Sequence, residues 1–258
     1  MYEALSIAAT ALRNQQNRID SIANNVANAN SVAYKSARLD FKDALYTTGI
    51  VPGPPRSPEE SQQKGHGVMV AGIGKDWRNG NFERTERLLD FAIEGEGFFA
   101  LMDSNGGTVY TRNGNFNLSV EAGGTFIVNG NGLYVLDQNG GRIAVPFGVD
   151  SIEIDTDGTM RFVNNSIEVG RATLGIFTFR NLTGLATAGD GNYVQTPAAG
   201  VRLPAGNAVI RQGILEQSNV NLAEEMTRLI RTQRAFQLAS RALTTADDME
   251  GIANNMRR

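Results

Sequence analysis

Hydrophobic positions in this chain are spaced helically at both ends and alternate through much of the middle. Near the amino terminus Leu5, Ala8, Leu12, Gln15, Ile19, Ile22, Val26 and Ala29 step by three and four without a break. That spacing lines side chains along one face of an α-helix and predicts a helix over residues 3–31. A stripe this narrow suits a coiled-coil partner, with Gln15 the polar residue that sets register. From Asn221 the helical spacing returns through Leu222, Met226, Leu229, Gln233, Phe236 and Ser240. Past Phe236 it moves over by one position and runs on through Ala242, Ala246, Met249, Ala253 and Met256. A 3.6-residue helix written against a 3.5-residue repeat drifts in this way. Asn221 with Glu224 three places later has the form of a capping box, and Glu224 and Glu225 suit the positive end of the helix dipole. Two such helices at opposite ends of one chain predict that the ends pair into a single domain.

The first helix has a peculiarity. From Ser21 to Ser31 it carries no charge, yet it holds Asn24, Asn25, Asn28 and Asn30. Asparagine costs about 0.5–0.7 kcal/mol against alanine in a helix interior, and a solvent-facing surface normally uses Lys and Glu. Uncharged hydrogen-bonding side chains suit a helix with neighbours on several sides. A helix end running into a loop would account for Asn28 and Asn30, but not for Asn24 and Asn25.

Residues 36–50 read as a connector, with Phe41, Ala44, Leu45 and Tyr46 in a short helical or extended turn. The proline-rich stretch 51–58 can be neither regular helix nor central strand, and 59–67 continues polar and glycine-flanked, as a linker or an inserted loop. Residues 68–215 read as β-structure: Val68, Val70 and Ile73 alternate, as do Ile152 and Ile154, and more loosely Leu174, Ile176, Phe177 and Phe179. An Asp-x-(Asn/Asp)-Gly form recurs at 103–106, 137–140 and 155–158. Asn79-Gly80, Asn113-Gly114 and Asn129-Gly130 add candidate tight turns with positive φ. Many short strands joined by hairpins imply a Greek-key or barrel-like antiparallel domain. The expected fold class is therefore α+β, mainly β. Three parts are expected: a discontinuous helical coiled-coil domain from both termini (1–35 with 216–258), a connector (36–80 with 200–215) and a central antiparallel β domain (81–199).

Composition narrows the function. A chain of 258 residues, 41% hydrophobic and 20% charged, has material for two or three ordinary domains. A net charge of −3 argues against a nucleic-acid partner. The absence of cysteine excludes disulfides and thiolate metal sites. No run approaches the length of a membrane span, and Met1-Tyr2-Glu3 lacks the basic start of a secretory signal. Membrane insertion is not expected, and export would leave the amino terminus uncut.

Candidate chemistry finds simpler explanations. His66 is the single histidine, so no histidine dyad or cluster can form. Gly72-Ile73-Gly74-Lys75 lacks the spacing and the Ser or Thr of a phosphate loop. The stretch 155–158 lacks the rest of a calcium loop and reads as a hairpin turn. Glu94 and Glu96 are paired carboxylates with no cleft to mark them, and Ser6 and Ser21 have no base in any motif. No catalytic, metal-binding or cofactor-binding residues are expected.

Two long stretches carry a resemblance. Ile22-Ala23-Asn24-Asn25-Val26-Ala27-Asn28-Ala29-Asn30, with Ala33-Tyr34-Lys35, resembles the N-terminal signature of the bacterial flagellar rod and hook proteins. Leu215-Glu216-Gln217-Ser218-Asn219-Val220-Asn221 and Gln233-Arg234-Ala235-Phe236 resemble that family's C-terminal signature. Residues 90–99 and 110–116 are similar to its central domain. Ala33 stands where the family usually carries glycine, so the turn there is expected to be strained or to differ. The inserted segment before Gly65-His66-Gly67-Val68 is most similar to the distal-rod member. The resemblance implies a structural subunit that stacks helically with copies of itself into a hollow drive shaft carrying motor torque to the hook. It implies neighbouring rod and hook proteins, the flagellar export apparatus and surrounding ring proteins as partners, and a place in the basal body outside the cytoplasmic membrane.

On this reading the assembly interface falls on Leu5, Leu12, Ile19, Ile22, Asn24, Asn25, Val26 and Asn28 at one end. Leu222, Met226, Leu229, Phe236 and Leu243 supply the other. Each terminal helix alone buries too little to offset its ordering entropy, so the ends are expected to fold on assembly. Two alternatives remain open: a proximal-rod or hook-type sibling, and a soluble β-domain binding module that dimerises through its helical ends.

Overall fold

The computed structural model describes residues 2–43, 46–48, 63–65, 68–103 and 105–256. The proline-rich stretch 51–58 and His66 lie outside the described residues. By its internal contacts the chain divides into two units. One comprises Met1–Ala27, Ala37–Lys75 and Asn221–Arg258; the other comprises Asn28–Ser36 and Asp76–Val220.

The first unit holds the two long helices, α1 (Tyr2–Ala27) and α2 (Leu222–Asn255). They pack on one another, and α1 also lies against β1 (Ala37–Asp43) and β4 (Val68–Lys75). These strands form an antiparallel ribbon, and a second, shorter ribbon pairs β2 (Tyr46–Thr48) with β3 (Gln63–Gly65). The connector around Phe41 is thus extended rather than helical. Gly72-Ile73-Gly74-Lys75 is strand, not loop. A register shift between Asp40 and Phe41 interrupts the alternation, and Ile73 points out, 69% exposed.

Helix α1 ends at Ala27 rather than near residue 31. Ser31 donates its N–H to the Asn28 carbonyl at 3.2 Å and its Oγ to Asn28 Oδ1 at 3.2 Å. Asn28 thus turns the chain out of the helix through a side chain that competes with the backbone ladder. At the other helix, Asn221 Oδ1 accepts from the N–H groups of Ala223 (3.1 Å) and Glu224 (3.4 Å). The reciprocal half of the capping box is not made, because the Glu224 carboxylate turns to Arg228 instead.

The second unit is built of antiparallel strands. In chain order they are β5 (Phe82–Arg84), β6 (Phe91–Glu94), β7 (Phe98–Met102), β8 (Thr108–Thr111), β9 (Phe116–Glu121) and β10 (Gly124–Asn129). Next come β11 (Tyr134–Val135), β12 (Ala144–Val145), β13 (Ser151–Ile154), β14 (Thr159–Asn164) and β15 (Ile167–Thr173). The last are β16 (Ile176–Phe179), β17 (Ala186–Gly189), β18 (Asn192–Val194), β19 (Arg202–Pro204), β20 (Val209–Gln212) and β21 (Ile214–Glu216). The main sheet runs β12-β10-β11-β7-β8-β18-β17, with β16 also on β7, β19 on β16 and β9 on β10. The strands β13-β14-β15 form a separate meander. β20 returns to pair with β6 and β21 with β5, so the end of the unit is tied to its beginning.

β7 explains the uninterrupted apolar run Phe98-Phe99-Ala100-Leu101, since successive side chains on a strand point to opposite faces. Phe99 and Leu101 enter a core with Phe91, Ile93, Phe116, Ile127, Met160 and Phe162. Phe98 and Ala100 enter a second core with Tyr110, Phe177, Phe179 and Tyr193. Both faces of this strand are covered. Trp77 packs edge-on to Phe98 and Tyr193, with ring centroids 5.3 and 5.0 Å away.

The three Asp-x-(Asn/Asp)-Gly stretches form one turn three times. Gly106, Gly140 and Gly158 have φ of 79°, 86° and 89° and donate to the carbonyls of Asp103, Asp137 and Asp155 at 2.9, 3.2 and 3.0 Å. The three Asn-Gly pairs depart from expectation. Gly80, Gly114 and Gly130 are not among the positive-φ glycines. A Cβ on Gly80 would stand 2.0 Å from the Gln217 carbonyl oxygen, and one on Gly114 would stand 1.8 Å from that of Phe91. These two glycines permit close backbone approach, not hairpin turning. Near Gly130 it is Gly132 that takes positive φ (78°).

Candidate assembly interface

In the first unit, α1, β1 and α2 meet at Asn25. Its Oδ1 accepts from the N–H of Ala37 at 2.8 Å, and its Nδ2 donates to the Ala37 carbonyl at 2.9 Å. The same Nδ2 lies 3.4 Å from Glu225 Oε2, whose other oxygen accepts from Arg228 at 2.9 Å. Asn25 and Glu225 are both buried. About three turns earlier on α1, Asn14 donates its Nδ2 to the Val68 carbonyl, and the Arg18 guanidinium stands 5.9 Å from the centre of the Phe41 ring. These asparagines satisfy strand backbone from the face of a helix, a task for which a charged side chain would need a counter-ion.

Along α2 the residues withdrawn from solvent include Glu225, Leu229, Thr232, Phe236, Ala239, Leu243 and Ala246, with Ala235 and Ser240 half-buried at the margin. The first seven step by four and three as a coiled-coil seam does, and the helix packed on α2 is α1. Leu229, Phe236 and Leu243 of the expected set lie on this seam. Leu222 and Met226 lie off it, each 45% exposed, because burial of Glu225 beside Asn25 turns its neighbours outward. On α1, Ile22 is buried and Leu12, Ile19 and Val26 are half-buried. Asn24 is exposed, Asn28 belongs to the turn in the second unit, and Leu5 lies in the first turns of α1. Gln15 is half-buried, and its Oε1 finds no hydrogen-bond donor.

The second unit contains a buried ionic cluster that the sequence motifs touch without revealing. Lys35 Nζ donates to Glu216 Oε1 at 2.7 Å and to the Arg78 carbonyl at 2.8 Å. Gly80 N–H donates to the same Glu216 oxygen at 2.8 Å. Arg112 reaches Glu216 Oε2 at 3.5 Å and the carbonyl of Gly95 at 2.7 Å. Lys35, Arg112 and Glu216 are all nearly inaccessible, so one carboxylate serves two buried cations. Burial holds the Lys35 ammonium below the ordinary lysine range, and Glu216 offsets part of that shift. Arg112 is lowered for the same reason.

Around this cluster the chain is stitched together. Ala33 N–H donates to the Glu216 carbonyl at 2.7 Å, and Asp76 N–H donates to that of Ser36 at 2.9 Å. Asn219 Oδ1 accepts from Ser36 N–H at 2.8 Å, while its Nδ2 donates to the Asp76 carbonyl at 2.8 Å. Tyr34-Lys35, Arg112-Asn113-Gly114 and Glu216-Gln217-Ser218-Asn219 are therefore one structural feature, not three. Sequence reading missed it. The available signal was a charged residue inside each of three otherwise uncharged motifs.

No helix among the described residues is long and apolar enough to cross a membrane. The surface instead exposes bulky apolar residues around α2, among them Ile230, Leu238, Met249, Ile252 and Met256.

Comparison with known proteins accounts for this arrangement. The model for flagella basal body rod proteins matches residues 5–35, and that for the flagellar hook protein FlgE/F/G D1 domain matches 92–162. The flagellar basal body rod FlgEFG C-terminal model matches 211–256. The flagellar basal-body rod protein FlgG of Borreliella burgdorferi is 35% identical, and the alignment covers 100% of both chains. FlgG of Bacillus subtilis is also 35% identical over the whole of both. The flagellar hook-basal body complex protein FlhP of Bacillus subtilis is 30% identical, again over 100% of each chain. With three family domains in order and a full-length likeness carried by both helices and the β unit, the chain belongs to the flagellar basal-body rod protein family, as a structural subunit of the FlgG kind.

Proposed function

We propose that this chain forms the distal rod by stacking helically with copies of itself, using the paired helices α1 and α2 as its polymerising element. The observation that carries this is the distribution of apolar side chains on α2. One seam faces α1, yet Leu222, Met226, Ile230, Leu238 and Ile252 remain exposed on other sides. A helix apolar on several faces calls for several neighbours, and a heterologous contact repeated without closure yields a filament. Such a filament would be hollow, would carry torque from motor to hook, and would contact neighbouring rod and hook proteins and the surrounding rings. Its subunits would pass through the flagellar export apparatus with an uncut amino terminus, their helices ordering on incorporation.

Leu12→Asp and Leu229→Asp are expected to abolish polymerisation, measured by sedimentation, while the β unit keeps its fold. In dilute monomer, amide exchange is expected to leave residues 5–29 unprotected. Normal filament growth by either variant would sink the proposal. The likeness to FlhP supports a second reading, a hook-type sibling, which subunit position in labelled basal bodies separates from the first.

A further inference from the structure

The first unit contains a cleft of about 380 Å³ between α1 and α2, lined by Gln15, Arg18, Arg228, Arg231, Thr232 and Ala235. We propose that this cleft receives Asp247 and Asp248 from α2 of a second copy, an inference that rests on the polymerising role proposed above.

Two observations carry it. First, the cleft is basic, and its charge is not used up within one chain. Arg228 is committed to Glu224 and Glu225. Arg18 and Arg231 make no ion pair among the described residues; Arg18 stands over the Phe41 ring. Second, charge along α2 is divided lengthwise. Arg228, Arg231, Arg234 and Arg241 fall in a stretch, 226–246, that contains no Asp or Glu, and Asp247 and Asp248 then follow directly. Both aspartates are exposed and unpaired among the described residues. The single chain leaves the site unfinished.

One helix cannot satisfy both ends of itself. Sixteen residues separate Arg231 from Asp247, roughly 24 Å at 1.5 Å per residue. A second copy displaced by about that distance along the helix axis brings aspartates to arginines. With the second copy displaced by translation, each copy gives its aspartates to one neighbour and its arginines to another, so the contact is head-to-tail and repeats. Guanidinium and carboxylate are well matched in shape, and the contact should weaken as salt rises.

The absence of cysteine in the chain makes a clean test available. The double variant Arg231→Cys/Asp248→Cys is assembled and then oxidised. The two sites on one helix are far beyond the roughly 7 Å that a disulfide spans, so only bonds between copies can form. A thiol-reversible ladder of covalent multimers is expected, with each single-cysteine variant stopping at dimer. In parallel, Arg18→Glu/Arg231→Glu and Asp247→Arg/Asp248→Arg should each raise the critical concentration at least tenfold, and the four changes together should restore it. Wild-type polymer accompanied by neither a ladder nor charge-swap recovery overturns this contact alone. Failure of the wild type to polymerise overturns the assembly reading and this contact with it.

Discussion

Ala33 occupies the left-handed region, with φ 57°, its side chain buried and its N–H held by the Glu216 carbonyl at 2.7 Å. That conformation costs an L-residue roughly 1–2 kcal/mol, a cost glycine avoids. The turn is kept because the bond to Glu216 and the Lys35–Glu216 pair fix the chain on either side. Ala33→Gly is therefore expected to stabilise the β unit by about 0.5–1 kcal/mol, part of the relief being offset by glycine's freer unfolded chain. A higher denaturant midpoint with unchanged slope, followed by fluorescence of Trp77, would show it. Glu216→Ala should act strongly in the other direction. It strands two buried cations, and breaking a buried pair from one side costs about 3–5 kcal/mol. Lys35→Met should cost less, since Arg112 still answers the Glu216 carboxylate. An equal loss in the two variants, measured by the same unfolding curves, would contradict this account. At this scale the sequence identified an unusual alanine but not its partner. A bond between residues 33 and 216 leaves no periodic trace in either stretch.

The elements were legible where their signal is local. Both helices, the antiparallel strands and the three Asp-x-(Asn/Asp)-Gly hairpin turns repeat patterns that lie within a few residues of one another. What could not be read was which way α2 faces. Leu222, Met226, Leu229 and Phe236 satisfy helical spacing as one stripe. Burial of Glu225 between Asn25 and Arg228, a charged residue turned inward, divides them between two faces. The Asn-Gly pairs failed for a related reason: at Gly80 and Gly114 the demand comes from a distant backbone, not from a local turn. The expected effect of Leu12→Asp and Leu229→Asp belongs here. Both residues are half-buried on the helices of the first unit, where a charged carboxylate is costly to withdraw from water. Near-ultraviolet dichroism from the aromatic cluster of the second unit should be unchanged in these variants, while helical signal and polymer are lost together.

For the β unit as a whole, alkaline conditions should expose the energetics of its second core. Burial pushes the Tyr193 phenol up to about 12 from an ordinary value near 10. Between those values the unfolded chain has released this proton and the folded one has not. The stability Tyr193 contributes is therefore complete below pH 10 and is lost as pH climbs toward 12, by on the order of 2–3 kcal/mol. Lys35, lowered by burial, acts oppositely: the unfolded chain holds the extra proton, so stability rises with pH toward 10.5 and levels off there. Above that point the Tyr193 loss should dominate. Urea unfolding at pH 9.5 and 11.5 checks it, and Tyr193→Phe should flatten the difference.

The Lys35–Glu216 bond joins residues 181 apart in sequence, and β20 and β21, at the far end of the β unit, complete the pairing of β6 and β5 near its start. A chain threaded amino end first, from a ribosome or through a pore, cannot close this domain until almost all of it has emerged. Long-range closure of this kind is slow. Every partly emerged intermediate lacks its final strands, so the β unit stays open until β20 and β21 are available to pair.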